Sequence, residues 1–291
     1  MIRLGVVGHL GYPGATAVLR TLRELAPALG LELWYERELY DLAGRTDGHL
    51  LEKPSELDAL LTLGGDGTLL RGARTVAPHA VPILGINLGR LGFLTCCNAD
   101  QLSGALMRFA RGDYLVEPRM ALHARVLDAN GKDRLHWFAL NDVVMHKGGF
   151  ARVVSVRVAA DGQTIATYAA DGVVLSTPTG STAYSLSAGG PVVYPTLETI
   201  VVTPVSAHTL AIRPVILPSN VEVTVQAEDG PEELMITVDG QVGTTFASGE
   251  TLVVRRADGG VPIIRFPGTS FFATLRQKLG WGGLLERDVT R

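Results

Sequence analysis

A short glycine-rich segment between two apolar runs carries the residues of this chain best suited to chemistry. Gly64, Gly65 and Gly67 surround Asp66, and Thr68 follows directly. Glycines let backbone N–H groups approach a ligand closely, and a helix that starts here would turn its positive N-terminal end toward an anion. The pattern predicts a phosphate-binding loop, with Gly64, Gly65 and Thr68 as phosphate-binding residues.

Asp66 is unexpected in such a loop, because a carboxylate repels phosphate. The local pattern leaves three roles open for it. Asp66 is a ligand of a cation that bridges phosphates, a base that takes the proton of a hydroxyl about to be phosphorylated, or the cap of the following helix.

Two later segments also place polar side chains beside apolar strands. Asn141 and Asp142 interrupt an apolar β-run. An amide and a carboxylate can bind sugar hydroxyls or a purine edge, and a turn at a strand end explains the pair nearly as well. Residues 171–191 combine hydroxyls with glycines, which favours a loop that binds the sugar and phosphates of a nucleotide. Within this loop, Tyr184 either stacks on a base or fills a cavity.

The glycines of residues 85–94 do not fit the common nucleotide motifs. Gly85, Gly89 and Gly92 are spaced by four and three residues, and the chain contains no Gly-Lys-Ser or Gly-Lys-Thr. This spacing argues against an ordinary dinucleotide fold or P-loop. Arg90 lies in this segment and either meets a phosphate or is a solvated loop residue.

Composition excludes several classes of protein. The chain has 291 residues, is 46% hydrophobic and carries a formal net charge of -3, so nothing indicates a nucleic-acid surface. Cys96 and Cys97 lack metal or disulfide spacing and indicate buried residues in a reducing compartment. The N-terminal residues resemble a strand more than a signal peptide, and prolines interrupt the weakly charged stretch 172–212. We therefore expect a cytoplasmic protein without a membrane span.

In the first part of the chain, segments with the apolar pattern of strands alternate with segments that have the apolar spacing of helices. Strands are predicted at 2–8, 31–35, 57–63 and 81–86. Helices are predicted at 13–29, 68–76 and 99–111. This alternation predicts an α/β domain with a parallel sheet, in which ligands bind at the carboxyl ends of the strands.

After residue 113 the composition changes, and the chain consists of short runs rich in Val, Ile and Thr. The runs are 122–127, 137–145, 153–159, 173–177, 200–203, 221–226, 234–238 and 251–255. They predict an all-β domain over 113–267. A helix is predicted at 270–279, and we expect 268–291 to return to the first domain, which otherwise spans 1–112.

These segments together resemble one known family. The chain is similar to NAD kinases in the order of five motifs. They are 64–68, the Asn141-Asp142 pair, 171–190, His208-Thr209-Leu210 with Arg213-Pro214, and Val238-Asp239-Gly240-Gln241. The resemblance implies transfer of a phosphoryl group to the 2′-hydroxyl of the adenosine ribose of NAD, giving NADP, with Asp66 as the general base.

The resemblance also implies a set of NAD-binding residues. They are Asp66, Gly67, Asn141, Asp142, Arg152, Asp171, Thr182, Ala183, Tyr184, Ser185, Leu186, Ser187 and Gln241. Many family members carry a basic residue two positions before the Asp-Gly that opens the 171–190 motif. This chain has Ala169 there, so position 169 is excluded from the predicted site.

The implied partners are NAD and a phosphoryl donor, either ATP or polyphosphate, with a divalent metal such as Mg²⁺ whose ligands the sequence does not assign. The family further implies a homodimer or homotetramer built through the β-rich domain. Two rival functions remain open. One is a lipid or sugar kinase with a similar Gly-Gly-Asp-Gly-Thr loop, and the other is a nucleotide sensor that binds NAD without catalysis.

Overall fold

The computed structural model describes residues 1–12, 14–43, 48–89, 92–148, 153–208, 211–228 and 234–281. The chain divides into two compact units. Unit 1 comprises Met1–Glu117 and the segment that begins at Pro262, and unit 2 comprises Pro118–Val261.

The elements alternate in unit 1 and are mostly strands in unit 2. The strands are β1 Ile2–Gly8, β2 Leu31–Tyr35, β3 His49–Leu50, β4 Ala59–Gly64, β5 Ile83–Asn87, β6 Cys97–Asn98, β7 Leu115–Arg119, β8 Leu122–Leu127, β9 Asp133–Ala139, β10 Asp142–Lys147, β11 Val154–Ala160, β12 Gln163–Ala170, β13 Gly172–Ser176, β14 Thr199–Val205, β15 Val215–Pro218, β16 Val223–Ala227, β17 Leu234–Val238, β18 Val242–Phe246, β19 Thr251–Arg256 and β20 Val261–Arg265. The α-helices are α1 Ala15–Leu25, α2 Arg37–Leu42, α3 Asp66–Val76, α4 Leu102–Ala110, α5 Tyr184–Ser187 and α6 Phe271–Leu279.

A parallel sheet forms the centre of unit 1. Its strand order is β3-β2-β1-β4-β5-β20-β7, and β6 pairs with β5. Neighbouring strands from β3 across to β20 pair in parallel. Every residue of β4 is buried, as expected for a parallel strand covered on both faces. The predicted α/β domain with a parallel sheet is confirmed.

Unit 2 consists of two antiparallel sheets. Their orders are β15-β14-β13-β10-β17-β18 and β12-β11-β16-β19-β8-β9. Alternate residues of the strands point into one shared core that is rich in valine, because every second side chain of a strand faces the same side. The predicted all-β domain is confirmed.

Some predicted elements differ from the structure. The single run predicted at 137–145 is two strands, β9 and β10, which are separated at Leu140 and Asn141. The helix predicted at 99–111 is a 3₁₀ turn, Ala99–Gln101, followed by α4. The helix predicted at 13–29 ends at Leu25, because Ala26–Gly30 form a turn that closes on glycine at φ +68°. Pro13 lies outside the described residues.

The C-terminal helix α6 belongs to unit 1, as predicted. Ser270 caps its start by accepting a hydrogen bond from the backbone N–H of Ala273, and Gly280 ends it at φ +66°. The ring of Phe271 lies 6.3 Å from that of Phe93, centroid to centroid. Within the described ranges, no helix is both long and apolar enough to cross a bilayer.

An ion pair joins the carboxyl end of β1 to α3, the helix that begins with Asp66. Glu36 pairs with Arg71 and also accepts the backbone N–H of Gly8 at 2.7 Å. Arg71 donates in turn to the carbonyl oxygen of Gly8 at 2.7 Å. The pair therefore provides hydrogen-bond partners for both the N–H and the carbonyl oxygen of Gly8 at the end of β1. It also fixes the orientation of α3.

Breaking this pair should destabilise unit 1 measurably. We expect Glu36→Gln to lower the free energy of unfolding by about 1.5–3 kcal/mol, because a partly buried guanidinium loses its charged acceptor. The matched control is Glu56→Gln, since the Arg3–Glu56 pair is exposed and spans 3.8 Å, and its loss should cost less than about 1 kcal/mol. Urea unfolding of both variants provides the test, and equal small losses would show that the Glu36–Arg71 pair does not anchor α3.

Candidate functional site

The glycine-rich loop forms the end of β4 and the start of α3. Gly65 occupies the N-cap position, and Asp66 is the first helical residue. A side chain at position 64 would collide with Thr68, because a Cβ there would lie 2.1 Å from the Thr68 hydroxyl oxygen. The first turn of a helix presents backbone N–H groups toward an incoming anion. The glycine-rich loop therefore lies at the start of a helix, as the sequence predicts, and its binding of phosphate stays a prediction.

The carboxylate of Asp66 is held by the backbone of a neighbouring loop. The N–H groups of Phe93 and Leu94 donate to its two oxygens at 2.8 Å and 3.0 Å. A Cβ at position 92 would lie only 1.9 Å from Asp66 Oδ1, so Gly92 is required for this approach. The interpretation of Asp66 as the helix cap is wrong, because Gly65 holds the cap position. Its carboxylate is instead oriented by neutral donors.

We call residues 92–95 the clamp segment, because they hold Asp66. The segment is fixed by its own contacts and by β20. The N–H of Gly92 donates to the Thr95 hydroxyl at 3.3 Å. Arg265 donates to the carbonyl oxygens of Phe93 at 2.7 Å and Thr95 at 3.0 Å. The sequence showed only the glycine spacing here and not the contact with Asp66.

Asn87 is a second feature that sequence reasoning missed. It ends β5 directly beside Gly64, and its side chain is 1% exposed. Its amide oxygen accepts the N–H of Gly89 at 2.8 Å, whereas its buried amide nitrogen has no hydrogen-bond partner among the residues that the structure describes. A buried amide nitrogen without an acceptor is costly, so Asn87 is a candidate donor to a bound ligand. Arg90 lies outside the described residues.

In unit 2, Asp239 organises the turn that carries Asn141 and Asp142. Its carboxylate accepts the backbone N–H groups of Leu140, Asn141 and Asp142 at 3.3, 2.8 and 3.3 Å. The N–H of Asp239 returns a hydrogen bond to the Asp142 carbonyl at 2.9 Å. This network explains why the apolar run 137–145 breaks into two strands.

Asp142 is itself a buried carboxyl group. Its pKa is raised to about 7, mainly by burial and also by the nearby carboxylate of Asp239, while a hydrogen bond from the backbone N–H of Tyr184 acts in the opposite direction. This contact with Tyr184 brings the Asn141-Asp142 pair to the start of α5. Near neutral pH the carboxyl of Asp142 is able to donate a hydrogen bond as well as accept one.

Several hydroxyls of the loop 171–191 serve the loop itself. Thr177 donates to the Leu140 carbonyl at 2.6 Å, and Ser181 donates to the Pro178 carbonyl at 2.7 Å. Ser185 shares a hydrogen bond of 2.9 Å with Thr203. These side chains are fully buried, so they build the loop. Tyr184 is 44% exposed, and the interpretation that it fills a cavity is therefore wrong.

Gln241 lies at the same end of the sheet as Asn141. The turn Asp239–Gly240 follows β17, and β17 pairs with β10 so that Val238 lies opposite Val143. Unit 2 thus gathers most of its predicted site residues at one end of the β13-β10-β17 strands. These residues are Asn141, Asp142, Thr182, Ala183, Tyr184, Ser185, Leu186, Ser187 and Gln241.

Asp171 lies at the opposite end of these strands. Asp142 pairs with Ser176, whereas His146 pairs with Gly172, a separation of roughly 14 Å at about 3.4 Å per residue. Asp171 forms an ion pair of 2.7 Å with Lys147, whose hydrogen bond holds the pKa of Asp171 below its usual range. Within one chain, Asp171 is therefore not part of the Asn141 cluster. Arg152 lies outside the described residues.

A cation accompanies Asp171 even though position 169 is alanine. Ala169 is exposed on β12, and Lys147 contributes its ammonium group from β10.

Comparisons with known proteins agree with this architecture. Residues 39–114 match the family model of the ATP-NAD kinase N-terminal domain, and residues 140–266 match that of the ATP-NAD kinase C-terminal domain. An NAD kinase of Gemmatimonas aurantiaca is 61% identical over 99% of both chains. An NAD kinase of Heliobacterium modesticaldum is 40% identical over 97% of this chain and the full length of the relative.

Two solved structures share the fold. A yeast NADH kinase complexed with NADH superposes with a TM-score of 0.87 at 23% identity, covering 97% of this chain and 88% of that one. An NAD kinase from Archaeoglobus fulgidus in complex with ATP gives a TM-score of 0.71 at 24% identity, covering 97% of this chain and all of that one.

The fold, together with matches to both domains of ATP-NAD kinases, places the chain among phosphotransferases that act on an alcohol group. Within that class, 61% identity over nearly the whole chain is decisive. The chain belongs to the NAD kinase family.

The clamp on Asp66 predicts a strict requirement for glycine at position 92. We expect Gly92→Ala to lower the rate of NADP formation at least about tenfold, because the new Cβ displaces the carboxylate from its two donors. The matched control is Gly104→Ala on α4, where a Cβ meets nothing within 4 Å and turnover should stay unchanged. Steady-state kinetics, with circular dichroism to confirm folding, is the measurement. Wild-type turnover in Gly92→Ala would show that the clamp is dispensable.

The buried carboxyl of Asp142 predicts a pH-dependent stability. Its pKa of about 7 in the folded protein exceeds that of the unfolded chain, so the folded state retains a proton that the unfolded chain loses. This group therefore makes the protein less stable as pH rises from the usual carboxylate range through about 7. Asp142→Asn removes that titration while keeping an acceptor for Tyr184.

We expect the stability of Asp142→Asn relative to wild type to increase by about 1 kcal/mol or more between pH 5 and pH 8. Urea unfolding at both pH values measures the difference. Asp258→Asn, at a side chain that is 88% exposed, serves as the control and should show no such change. An unchanged difference for Asp142→Asn would mean that Asp142 is already ionised in the folded protein at pH 5.

Proposed function

We propose that this protein transfers a phosphoryl group to the 2′-hydroxyl of the adenosine ribose of NAD, and that Asp66 is the general base. The observation that carries the assignment is the Asp66 carboxylate at the start of α3, oriented by two backbone N–H groups from the clamp segment. Family membership supports the reaction, since relatives over the full chain are NAD kinases.

The proposed step balances as a single displacement. The 2′-hydroxyl oxygen attacks the terminal phosphorus of the donor, and its proton passes to the Asp66 carboxylate. The bond between that phosphorus and the bridging oxygen breaks, and the electron pair leaves with the remaining donor phosphates. Because the donors on Asp66 are neutral, they fix its orientation without adding a positive charge beside it.

The phosphoryl donor is proposed to be ATP. The matched family models describe ATP-NAD kinases, and the glycine-rich loop is suited to hold the donor phosphates through Gly64, Gly65 and Thr68. The unpartnered amide nitrogen of Asn87 adds a hydrogen-bond donor next to Gly64. Polyphosphate would present the same terminal phosphates and is tested as the alternative donor.

A divalent cation, Mg²⁺, is proposed to accompany the donor. Magnesium is commonly held by one or two carboxylates together with substrate phosphates and water. The Asp66 carboxylate at the start of α3 is a side chain that could contribute to such a site. Bound there, the cation would neutralise charge on the donor phosphates.

We propose that the Asn141 cluster of unit 2 binds the dinucleotide. Asn141 offers an amide, Asp142 a carboxyl that donates or accepts near neutral pH, and exposed Tyr184 an aromatic face for a base. The assignments of Gly67, Arg152 and Asp171 as NAD contacts, and the domain limits 1–112 and 113–267, remain proposals that rest on the resemblance.

We further propose that the protein acts in the cytoplasm as a homodimer or homotetramer. Exposed apolar side chains on strands of unit 2 support assembly through this unit, among them Ile216, Met235 and Val242. Light scattering of the purified protein measures the oligomer.

Asp66→Asn tests the catalytic assignment. We expect kcat to fall by roughly 10² to 10⁴, the range for loss of a general base, while the affinity for NAD changes little. The assay incubates purified protein with NAD, Mg²⁺ and either ATP or polyphosphate and measures NADP, and calorimetry measures NAD binding. Asp258→Asn, an exposed carboxylate exchanged in the same way, should keep wild-type kcat.

The same assay separates the rival functions. NAD binding without NADP formation by the wild-type protein would favour the nucleotide sensor. Phosphorylation of a lipid or sugar without phosphorylation of NAD would favour the other kinase classes. Wild-type turnover in Asp66→Asn would remove Asp66 from the role of base.

A further inference from the structure

Arg265, the last residue of β20, is a partly buried arginine whose charge no carboxylate balances. With the described residues it forms no ion pair, and its side chain donates only to backbone carbonyl oxygens. Its Nη2 donates to the carbonyl of Phe93 at 2.7 Å, and its Nη1 donates to that of Thr95 at 3.0 Å. A partly desolvated cation without a counter-ion is costly, which points to a role for its charge.

The carbonyl oxygen of Phe93 belongs to the same peptide unit as the N–H of Leu94. Arg265 contacts the oxygen of this unit at 2.7 Å, and the N–H at its other side donates to Asp66 Oδ1 at 3.0 Å. A trans peptide unit is planar and holds its C=O and N–H in opposite directions. One peptide unit therefore connects the guanidinium of Arg265 to the carboxylate of Asp66.

This connection strengthens the hydrogen bond that holds Asp66. A cation at the carbonyl oxygen polarises the peptide unit and makes its N–H a stronger donor, because hydrogen bonds in a chain reinforce one another. Arginine also presents its donors in a rigid fork, whereas lysine offers one charged nitrogen. The fork of Arg265 fixes the carbonyl groups of Phe93 and Thr95, and thus the backbone on both sides of Leu94.

Other contacts hold the clamp segment in place independently of Arg265. The ring of Phe93 lies 6.3 Å from the ring of Phe271 on α6, centroid to centroid. Directly after the segment, the N–H of Cys96 donates to the carbonyl oxygen of Gly85 at 2.9 Å. Removal of the guanidinium is therefore expected to loosen one peptide unit without unfolding the segment.

We propose that Arg265 is a positioning residue for the phosphoryl transfer and acts on Asp66 through the peptide unit between Phe93 and Leu94. Its role is to hold the carboxylate in the orientation in which a free lone pair meets the ribose hydroxyl. A misplacement of about 1 Å in such a group costs a rate factor on the order of 10². This proposal rests on the proposed function, since it requires that Asp66 takes part in the reaction.

Arg265→Met keeps the apolar stem of the side chain and removes its charge and donors. We expect kcat to fall at least about tenfold, while the KM for NAD changes less than about threefold. Arg265→Lys restores the charge and one donor and should recover at least about threefold of the lost kcat. The matched control is Arg134→Met in unit 2, because Arg134 also donates to a carbonyl oxygen, that of Thr245 at 2.8 Å, and its loss should leave kcat unchanged.

A double-mutant cycle with Asp66→Asn separates positioning from a merely structural effect. If Arg265 acts through the carboxylate, Arg265→Met should lower kcat by less than about twofold in the Asp66→Asn background, since the group that it orients is gone. Equal losses in both backgrounds would overturn the proposal. Wild-type kcat in Arg265→Met would overturn it as well, and so would a loss that Arg265→Lys does not reduce.

Hydrogen exchange measures the contact without the reaction. In the folded protein, Arg265→Met should speed exchange of the Leu94 amide at least about tenfold, and Arg134→Met should leave it unchanged. Unchanged exchange in Arg265→Met would show that Arg265 does not hold this peptide unit. Unfolding midpoints confirm that the variants are folded. Absence of NADP formation, or wild-type turnover in Asp66→Asn, would count against the proposed function, and the exchange rate would still report on the contact of Arg265.

Discussion

The fixed position of one carboxylate is the constraint on which unit 1 depends. Asp66 stands where the helix dipole favours anions, and the N–H groups of Phe93 and Leu94 hold both of its oxygens. This arrangement requires a loop that approaches without a side chain at position 92. Arg265 holds that loop from β20, so a residue late in the sequence completes a site whose central residue comes early.

In unit 2, a carboxylate that accepts backbone N–H groups shapes a turn between two strands. Asp239 accepts three consecutive backbone N–H groups and thereby turns an apolar run into two strands with Asn141 between them. The Thr177 hydroxyl closes the neighbouring turn on the Leu140 carbonyl. Both units therefore orient polar groups through side chains bonded to the backbone, which suits sites that must keep their geometry without a ligand.

The sequence predicted the elements with strong periodicity and missed those without it. β8 and β17 match their predicted bounds, because alternation or a bounded apolar run defines them. β12 was missed, since its small and polar residues lie largely on exposed positions at a sheet edge. The motifs could be found by residue type. The hydrogen bonds of Asp66 reach residues at least 27 positions away, and those of Asp239 reach residues at least 97 positions away. No local sequence pattern predicts such distant contacts.

The hydroxyl-rich loop shows how residue type alone can mislead. A run of Ser and Thr indicated ligand contacts, yet the buried hydroxyls of Thr177, Ser181 and Ser185 bond to the protein. The positions of these residues in the sequence could not reveal this. A buried hydroxyl needs a hydrogen-bond partner, and the sequence does not show whether that partner is a ligand or a carbonyl oxygen of the protein. Even the half-buried Thr182 donates its hydroxyl to the Thr179 carbonyl at 3.3 Å, whereas Tyr184 and Ser187 are exposed.

The four motif aspartates lie in different environments, and these environments favour Asp66 over the other three as the proposed proton acceptor. Asp239 is buried and committed to backbone donors, and burial favours the protonated form of Asp142 near neutral pH. Asp171 is paired with Lys147, which stabilises its charge and opposes protonation. Asp66 is partly exposed and forms no ion pair with any of the described residues. Its remaining lone pairs can therefore meet a hydroxyl, which is the requirement for a general base.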